Sequence, residues 1–175
     1  MREIITERLV INNFNKQDVN NLYELIQDYQ KSKNYKYDHK WPEVFSEYEN
    51  IITWFSGEDP YLAVRIKEGN IFIGFVDLTK EEEDVNGNIY NLGFIFNSKY
   101  HNKGYAYEAC LAYMSKLRLL YADVVFVTGT AKDNIPANKL IKKLGFKILK
   151  ENKGYFQVDE SNSPIMFEGY EYRLG

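Results

Sequence analysis

A glycine-centred turn in the middle of the chain carries the strongest chemical signal. The turn, residues 101–106, reads HNKGYA and joins a strand-like run, 89–96, to a strongly amphipathic helical pattern. The first N–H groups of a helix lack partners within the helix, and the positive end of the helix dipole lies behind them. A turn that opens a helix in this way is an anion site suited to a pyrophosphate. The alternative interpretation of Gly104 is a simple turn residue.

Composition narrows the class of protein. The chain has 175 residues with 45% apolar content, which predicts one domain over residues 1–175 with a substantial core. Its net charge is −3 and its 22 Lys and Arg residues are scattered, so we expect no nucleic-acid partner. Cys110 is the only cysteine and lies on an apolar helix face, which favours a small buried side chain over a nucleophile. No signal peptide is recognisable and no apolar run approaches about 18 residues, so we expect a cytoplasmic protein without membrane association.

Apolar spacing predicts the elements that position the turn. Their order is β, α, α, three β, α, β, α, β, β, which is typical of a mixed α/β protein. The predicted strands span residues 6–14, 61–66, 71–78, 89–96, 124–130, 146–151 and 166–174. The predicted helices span 15–29, 42–57, 104–121 and 133–145. Asn15 and Asp18 resemble a capping pair for the first helix, and Pro42 stands where the second would begin.

Three segments carry patterns that occur together in one enzyme family. The turn 101–106, followed by Glu108-Ala109, is similar to a Gln/Arg-x-x-Gly-x-Gly/Ala pyrophosphate motif. Residues 134–146 (NIPANKLIKKLGF) are similar to an Asn-x-x-Ser/Ala…Lys-Leu-Gly-Phe signature, and residues 6–9 (TERL) to a Thr-x-Arg-Leu start. With the element order, these segments resemble the GCN5-related N-acetyltransferase (GNAT) family, in particular its branch of ribosomal-protein N-terminal acetyltransferases. The resemblance implies a mixed, mostly antiparallel sheet of about seven strands, splayed between strands 4 and 5 and flanked by about four helices.

The resemblance also implies acetyl-CoA as the cosubstrate and no metal. In the family the pantetheine arm pairs with the exposed edge of the fourth strand, and backbone donors of the turn hold the pyrophosphate. By the same resemblance Asn134 orients the pantetheine region and His101 contacts phosphate, while Lys139 and Lys143 either reach the outer phosphates or form a solvated helix face. The implied cofactor-binding residues are Phe94, Ile95, Phe96, His101, Asn102, Lys103, Gly104, Tyr105, Ala106, Asn134, Ala137, Lys139 and Lys143.

Several residues are candidates for moving protons. Asn91 stands where many relatives carry a glutamate base, and Ile141 where others carry the tyrosine that protonates the leaving thiolate. His39 lies in the loop that borders the acceptor pocket in the family, so it is a candidate base, with an exposed loop histidine as the alternative. Asp77 and Glu168 could attract a cationic amine, although carboxylates on strands usually face water. The last alternative needs no catalytic base. If water removes the proton and the amine arrives neutral, the positioning of the two substrates supplies most of the rate.

These patterns lead to a functional expectation. By resemblance the protein is an enzyme that moves an acetyl group from acetyl-CoA to a primary amine by direct attack in a ternary complex. The acceptor is either a protein N-terminus or a small-molecule amine, and the aromatic run of Tyr29, Tyr35, Tyr37 and Trp41 suggests a ring-walled acceptor pocket. The alternative is a non-catalytic acyl-CoA-binding module, because the usual glutamate and tyrosine are missing. A homodimer would be compatible with the family.

Overall fold

The described residues form an open sheet of eight strands at the centre of the protein. The computed structural model describes residues 3–57, 60–81 and 88–175. Its strands are β1 (Ile4–Ile5), β2 (Leu9–Asn13), β3 (Tyr61–Ile66), β4 (Ile71–Lys80), β5 (Ile89–Phe96), β6 (Val125–Ala131), β7 (Lys147–Gly154) and β8 (Phe167–Leu174). Its α-helices are α1 (Val19–Gln30), α2 (Tyr48–Gly57), α3 (Tyr105–Leu120) and α4 (Ile135–Lys143). The sheet order is β1-β2-β3-β4-β5-β6-β8-β7, and among the described strands only the β5–β6 pair is parallel.

The predicted mixed sheet is confirmed, but its N-terminal strand is divided. Residues 6–14 do not form one strand, because Thr6 N donates to Leu9 O at 3.0 Å and Leu9 N donates to Thr6 Oγ1 at 2.9 Å. This turn separates β1 from β2 and gives the described sheet one strand more than the resemblance implies. The capping pair is confirmed, since Asn15 and Asp18 form a capping box at a 3-10 turn that leads into α1.

The second helix begins later than its sequence predicts. Pro42 does not open it, because Val44 is still extended and a 3-10 turn at Phe45–Glu47 precedes α2. The Pro42 carbonyl instead accepts a hydrogen bond from the Tyr48 hydroxyl at 2.8 Å. The chain from Trp41 to the helix is therefore held as a loop against the helix start. The sequence Asn86-Gly87-Asn88 is typical of a turn before β5, and it falls partly on residues 82–87, which lie outside the described residues.

The two faces of the sheet carry different helices. One face buries Cys110, Tyr113 and other side chains of α3 together with Ile141 of α4. The other face carries α1 and α2, whose apolar side chains pack against Ala63, Phe75 and Ile95. Cys110 is fully buried, in agreement with its prediction as a core side chain. Within the described ranges, no helix is long and apolar enough to cross a membrane.

A gap opens between β5 and β6, which are the fourth and fifth strands of the predicted order, so it lies where the splay is predicted. Their parallel pairing covers only Ile89–Asn91 of β5 and Val125–Val127 of β6. The Thr128 hydroxyl still donates to the Leu92 carbonyl at 2.8 Å, one step beyond the ladder. From there β6 stays paired with β8 as far as Ala131, while β5 stays paired with β4. The second half of β5 therefore has an open edge toward the gap.

Candidate active site

The turn before α3 has the geometry of an anion cradle. Asn102 and Gly104 both adopt left-handed backbone conformations, with φ of 60° and 82°. Gly104 is the N-cap of α3 and supplies no capping side chain, and the Gly104 carbonyl accepts from Glu108 N at 3.0 Å. The N–H groups of residues 105–107 therefore have no acceptor within the helix and are directed beyond its end. Such a helix N-terminus can hold a pyrophosphate without any charged side chain.

An ion pair from the N-terminal segment supports this turn. Arg8 Nη1 donates to the Lys103 carbonyl at 2.9 Å, and its guanidinium lies 4.5 Å from the centre of the Tyr105 ring. Arg8 Nε donates to Glu108 Oε2 at 2.7 Å, while the Thr6 hydroxyl donates to Oε1 at 2.5 Å. Partial burial opposes ionisation of Glu108, but the bonds from Thr6 and Arg8 hold its pKa below the ordinary value. Residues 6–9 and the turn that leads to Glu108 are separate motifs in the sequence, and in the structure they form one unit.

The open edge of β5 leads to the same turn. The Leu92 carbonyl faces β6, and the Phe96 carbonyl accepts from His101 Nε2 at 2.7 Å. Alternate residues of a strand direct their backbone groups to the same side, so Phe94 also presents its N–H and C=O to the gap. A carbonyl oxygen can only accept, so His101 Nε2 carries the hydrogen and ties the turn to the strand. The predicted contact of His101 with phosphate stays a prediction.

The two ends of α4 contact different segments, Asn34 at the start of the helix and Tyr107 of α3 at its end. Asn134 caps α4, with its side-chain oxygen accepting from Ala137 N at 3.4 Å and from Asn34 Nδ2 at 3.1 Å. Lys143 Nζ lies 4.4 Å from the centre of the Tyr107 ring, so this lysine is beside the first turn of α3. Lys139 is exposed on α4. Lys143 is therefore the lysine of the predicted pair that the structure brings to the cradle.

A pocket of about 490 Å³ lies on the α1 and α2 side of the open edge. We call it the ring-walled pocket. Of the aromatic residues predicted to line an acceptor pocket, only Trp41 lines this one. Tyr29 and Tyr35 instead hold the surrounding loop. The Tyr29 hydroxyl donates to Asp38 Oδ2 at 2.8 Å, and the Tyr35 hydroxyl accepts from Trp41 N at 2.8 Å. Its walls come from Asp38, His39, Lys40, Trp41, Pro42, Ile51, Trp54, Phe55, Tyr61, Phe75, Asp77, Gly93, Phe94 and Ile95.

Asp77 is the carboxylate that this pocket shares with the sheet. It stands in one row of the sheet with Tyr61 of β3 and Gly93 of β5. A Cβ atom on Gly93 would overlap Asp77 Oδ2, so the carboxylate occupies the space above the glycine. Burial raises the pKa of Asp77 to about 7; the hydrogen bond from the Thr79 hydroxyl opposes the rise and the charge of Asp38 adds to it. The sequence signal for this arrangement is the glycine directly opposite an aspartate, which cannot be recognised without the strand register.

The other proton-transfer candidates lie in different surroundings. His39 lines the ring-walled pocket, and its exposed imidazole packs against Phe156 with 4.3 Å between ring centres. Asn91 is exposed and pairs across the sheet with Thr79, two residues before Gly93. Glu168 is bound by Lys132 at 3.2 Å and Lys153 at 3.0 Å, which lower its pKa, and it lines a separate cavity of about 290 Å³.

The structure also bears on the position of the tyrosine acid and on metal binding. Ile141, at the position of the tyrosine acid, is buried in the core and has no group that could protonate a thiolate. Among the residues that the structure describes, no group of three or more His, Cys, Asp or Glu side chains is arranged to hold a metal ion. The structure thus brings His39 and Asp77 to one pocket and leaves Glu168 outside it.

Comparisons with known proteins agree with this geometry. An uncharacterized N-acetyltransferase of Bacillus subtilis, YnaD, is 30% identical over 185 aligned positions, covering 98% of this chain and 95% of the relative. A GNAT-family acetyltransferase structure from Bacillus anthracis is 24% identical with a TM-score of 0.76, covering 99% of this chain and 98% of that one. RimL, a ribosomal L7/L12 α-N-protein acetyltransferase solved with coenzyme A, is 14% identical with a TM-score of 0.78, covering 99% and 97%. The family model of the acetyltransferase (GNAT) domain matches residues 8–147, and the chain therefore belongs to the GNAT acetyltransferase family.

Proposed function

We propose that the protein transfers an acetyl group from acetyl-CoA to a primary amine by direct attack in a ternary complex. The observation that carries this proposal is the course of β5. Phe94 and Ile95 line the ring-walled pocket, and the strand ends at Phe96, whose carbonyl is bound by His101 of the turn. One open strand edge therefore connects an anion cradle with a pocket for a second substrate. A thioester held along this edge would meet an amine held in the pocket.

The residues along this path fit coenzyme A. Backbone N–H groups at the start of α3 suit the pyrophosphate, with Lys143 close enough to add a positive charge. The backbone of Phe94 can pair with the amides of the pantetheine arm. Beside Asn134, the buried side-chain oxygen of Asn34 has no hydrogen-bond partner among the described residues. A buried acceptor without a partner is costly, so an N–H donor from the arm would be stabilised there.

The ring-walled pocket supports an amine acceptor of modest size. Its volume of about 490 Å³ is in the range of small-molecule sites and is also sufficient for the first residues of a peptide. The name of RimL states an α-N-protein acetyltransferase of ribosomal L7/L12, which is a reason to include protein N-termini among the acceptors tested. A small amine and a protein N-terminus therefore both remain in the proposal.

A binding module without catalysis is the alternative. Asn91 and Ile141, at the positions of the usual base and acid, favour this alternative because neither side chain can exchange a proton at neutral pH. Asp77 opposes it, because a carboxylate with a pKa of about 7 lies in the same pocket as the open strand edge. We therefore propose a catalytic function in preference to acetyl-CoA binding without turnover.

The deciding experiment measures thiol release from acetyl-CoA with a panel of amines and N-terminal peptides. The panel contains polyamines, amino acids, aminoglycoside-like amines, arylalkylamines and short peptides with free N-termini. We expect at least one acceptor to release coenzyme A above the amine-free background and to gain one acetyl group by mass spectrometry. Calorimetric binding of acetyl-CoA without release for any acceptor would support the binding module instead. Cys110 is buried, so the protein itself contributes little to a thiol assay of the folded state.

A further inference from the structure

We infer that Asp77 receives the ammonium group of the acceptor and takes its proton, so that the base of this enzyme is on β4 instead of β5. This inference rests on the proposed amine acetylation. Among the described residues, Asp77 and Asp38 are the carboxylates that line the ring-walled pocket, and the Tyr29 hydroxyl already occupies Asp38 Oδ2 at 2.8 Å. Asp38 Oδ1 accepts from His39 N at 2.7 Å. Of these two described carboxylates, Asp77 is therefore the one that remains available to a cationic substrate.

The position of Asp77 is set by the glycine opposite. Its Oδ2 atom fills the space that a side chain at residue 93 would need, and Gly93 belongs to the strand with the open edge. The Asp77 carboxylate is therefore directed from β4 over β5, toward the edge along which the pantetheine arm would lie. Any residue other than glycine at 93 would push the carboxylate away from this edge.

Asp77 also compensates for Asn91. Side chains two residues apart on a strand share one face and are about 7 Å apart, so Asn91 and Gly93 face the same side of β5. Thr79, the cross-strand partner of Asn91, donates from its hydroxyl to Asp77 Oδ1 at 3.1 Å. The negative charge that a glutamate at 91 would bring is thereby supplied from the neighbouring strand, one row further along the same face.

The surroundings permit proton exchange near neutral pH. Among the described residues, the titratable or charged groups near Asp77 are Tyr61 of β3, Asp38, His39 and Lys40 of the loop before α2, and, from the other face of the sheet, Cys110 of α3. Burial of the carboxylate is the main cause of its raised pKa, and the Asp38 charge adds to it. A base whose pKa is close to the working pH is the most effective general base.

The proposed step balances as follows. The acceptor R–NH3+ gives one proton to the Asp77 carboxylate, which leaves R–NH2 and a neutral carboxyl group. The nitrogen lone pair attacks the thioester carbonyl carbon and forms the C–N bond. The C–S bond then breaks, the sulfur leaves with its electron pair, and it takes a proton from the nitrogen that carries the acetyl group. The products are R–NH–COCH3 and coenzyme A thiol, and Asp77 returns its proton to solvent.

The test compares the wild type with Asp77→Asn and with Asp123→Asn as a control. Asp123 is an exposed residue with a left-handed φ of 57° before β6, and asparagine tolerates this conformation. We expect Asp77→Asn to lower kcat/KM by about 10²- to 10⁴-fold and to remove the rising limb near pH 7, with an unchanged Kd for acetyl-CoA. We expect Asp123→Asn to match the wild type in all three measurements.

Two outcomes overturn the inference, and they are distinguishable from failure of the proposed function. Asp77→Asn with wild-type kcat/KM and an unchanged limb would refute the role of Asp77 while leaving the acetyltransferase intact. A limb that disappears in His39→Ala but persists in Asp77→Asn would assign the base to His39. Binding of acetyl-CoA by the wild type without thiol release for any amine would instead refute the proposed function, and the Asp77 inference with it.

Discussion

Arg8 and Glu108 join the N-terminal segment to the start of α3 through two contacts to one oxygen. Glu108 Oε2 lies 2.7 Å from Arg8 Nε and 2.6 Å from Arg8 Nη2. The same guanidinium reaches the Lys103 carbonyl through Nη1. The turn before α3 is thus held in place by Arg8, which lies 100 positions before Glu108 in the sequence.

The first prediction concerns this ion pair. We expect Glu108→Gln to destabilise the fold by about 1 to 2 kcal/mol, because the pair is only partly buried and solvent screens its charges. The Kd for acetyl-CoA should rise several-fold, because the turn loses its support. Urea denaturation and calorimetry measure the two effects. Glu151→Gln, which removes an exposed contact with Lys132, serves as the control and should change neither. Unchanged affinity in Glu108→Gln would show that the turn holds its shape without this pair.

The second prediction tests the anion cradle at Gly104. With φ at 82°, any other residue is strained there, and asparagine less than most. Gly104→Glu adds a negative charge beside the cradle, so we expect it to abolish acetyl-CoA binding while the protein stays folded. Gly104→Asn separates strain from charge and should retain measurable binding. Calorimetry measures the affinity and thermal unfolding measures the stability. Equal affinity of Gly104→Glu and the wild type for acetyl-CoA would show that the cofactor does not bind at this turn.

The third prediction uses Gly93 to move Asp77 without changing its chemistry. We expect Gly93→Ala to lower kcat by more than tenfold, because its methyl group displaces the Asp77 carboxylate from the space above β5. The Kd for acetyl-CoA should change little, and the variant should stay folded because alanine is tolerated in strands better than glycine. Gly154→Ala is the matched control, since a Cβ atom there meets no neighbouring atom within 4 Å. Full activity in Gly93→Ala would mean that the position of the carboxylate is irrelevant to turnover.

The fourth prediction concerns stability against pH. Burial raises the pKa of Asp77 to about 7, whereas an unfolded chain has about 3.9. The native state therefore holds this proton between these values, so the stability contribution is complete below about pH 4 and is lost as the pH rises through about 7. Relative to Asp77→Asn, the wild type should lose on the order of 4 kcal/mol of unfolding free energy from about pH 4 to pH 8. Urea denaturation of both proteins at several pH values measures this difference, and a difference independent of pH would show an ordinary carboxylate.

The fifth prediction separates two roles of Asn134. As the N-cap of α4 it accepts from Ala137 N at the long distance of 3.4 Å, so its loss should cost no more than about 1 kcal/mol. We expect Asn134→Ala to weaken acetyl-CoA binding by more than this stability change accounts for, because its neighbour Asn34 also loses a hydrogen-bond acceptor. If cofactor affinity and turnover survive while the melting temperature falls, Asn134 is only a cap.

Local patterns were sufficient to predict the presence of the four described α-helices and the glycine turn before α3. The apolar stripe of α3, the glycine at its start and the capping box at Asn15 depend on residues close in sequence, so their geometry can be derived from spacing alone. The same reasoning failed at Pro42, where a side chain six residues later takes the proline carbonyl. It also failed at 6–9, where Thr6 closes a turn that the strand-like composition conceals.

The sequence by itself determined the element types, the glycine turn and the family, because these depend on periodicity and on short ordered motifs. Only the tertiary structure decided that Asp77, and not Glu168, lines the ring-walled pocket. Asp77 and Gly93 meet through the register of β4 and β5, and a shift of one residue between the two strands would place them on opposite faces of the sheet. Burial then raises the pKa of Asp77, whereas two lysines lower that of Glu168 at the surface. The difference between these two carboxylates lies in solvation and in neighbours from distant segments, and neither can be read from residue type.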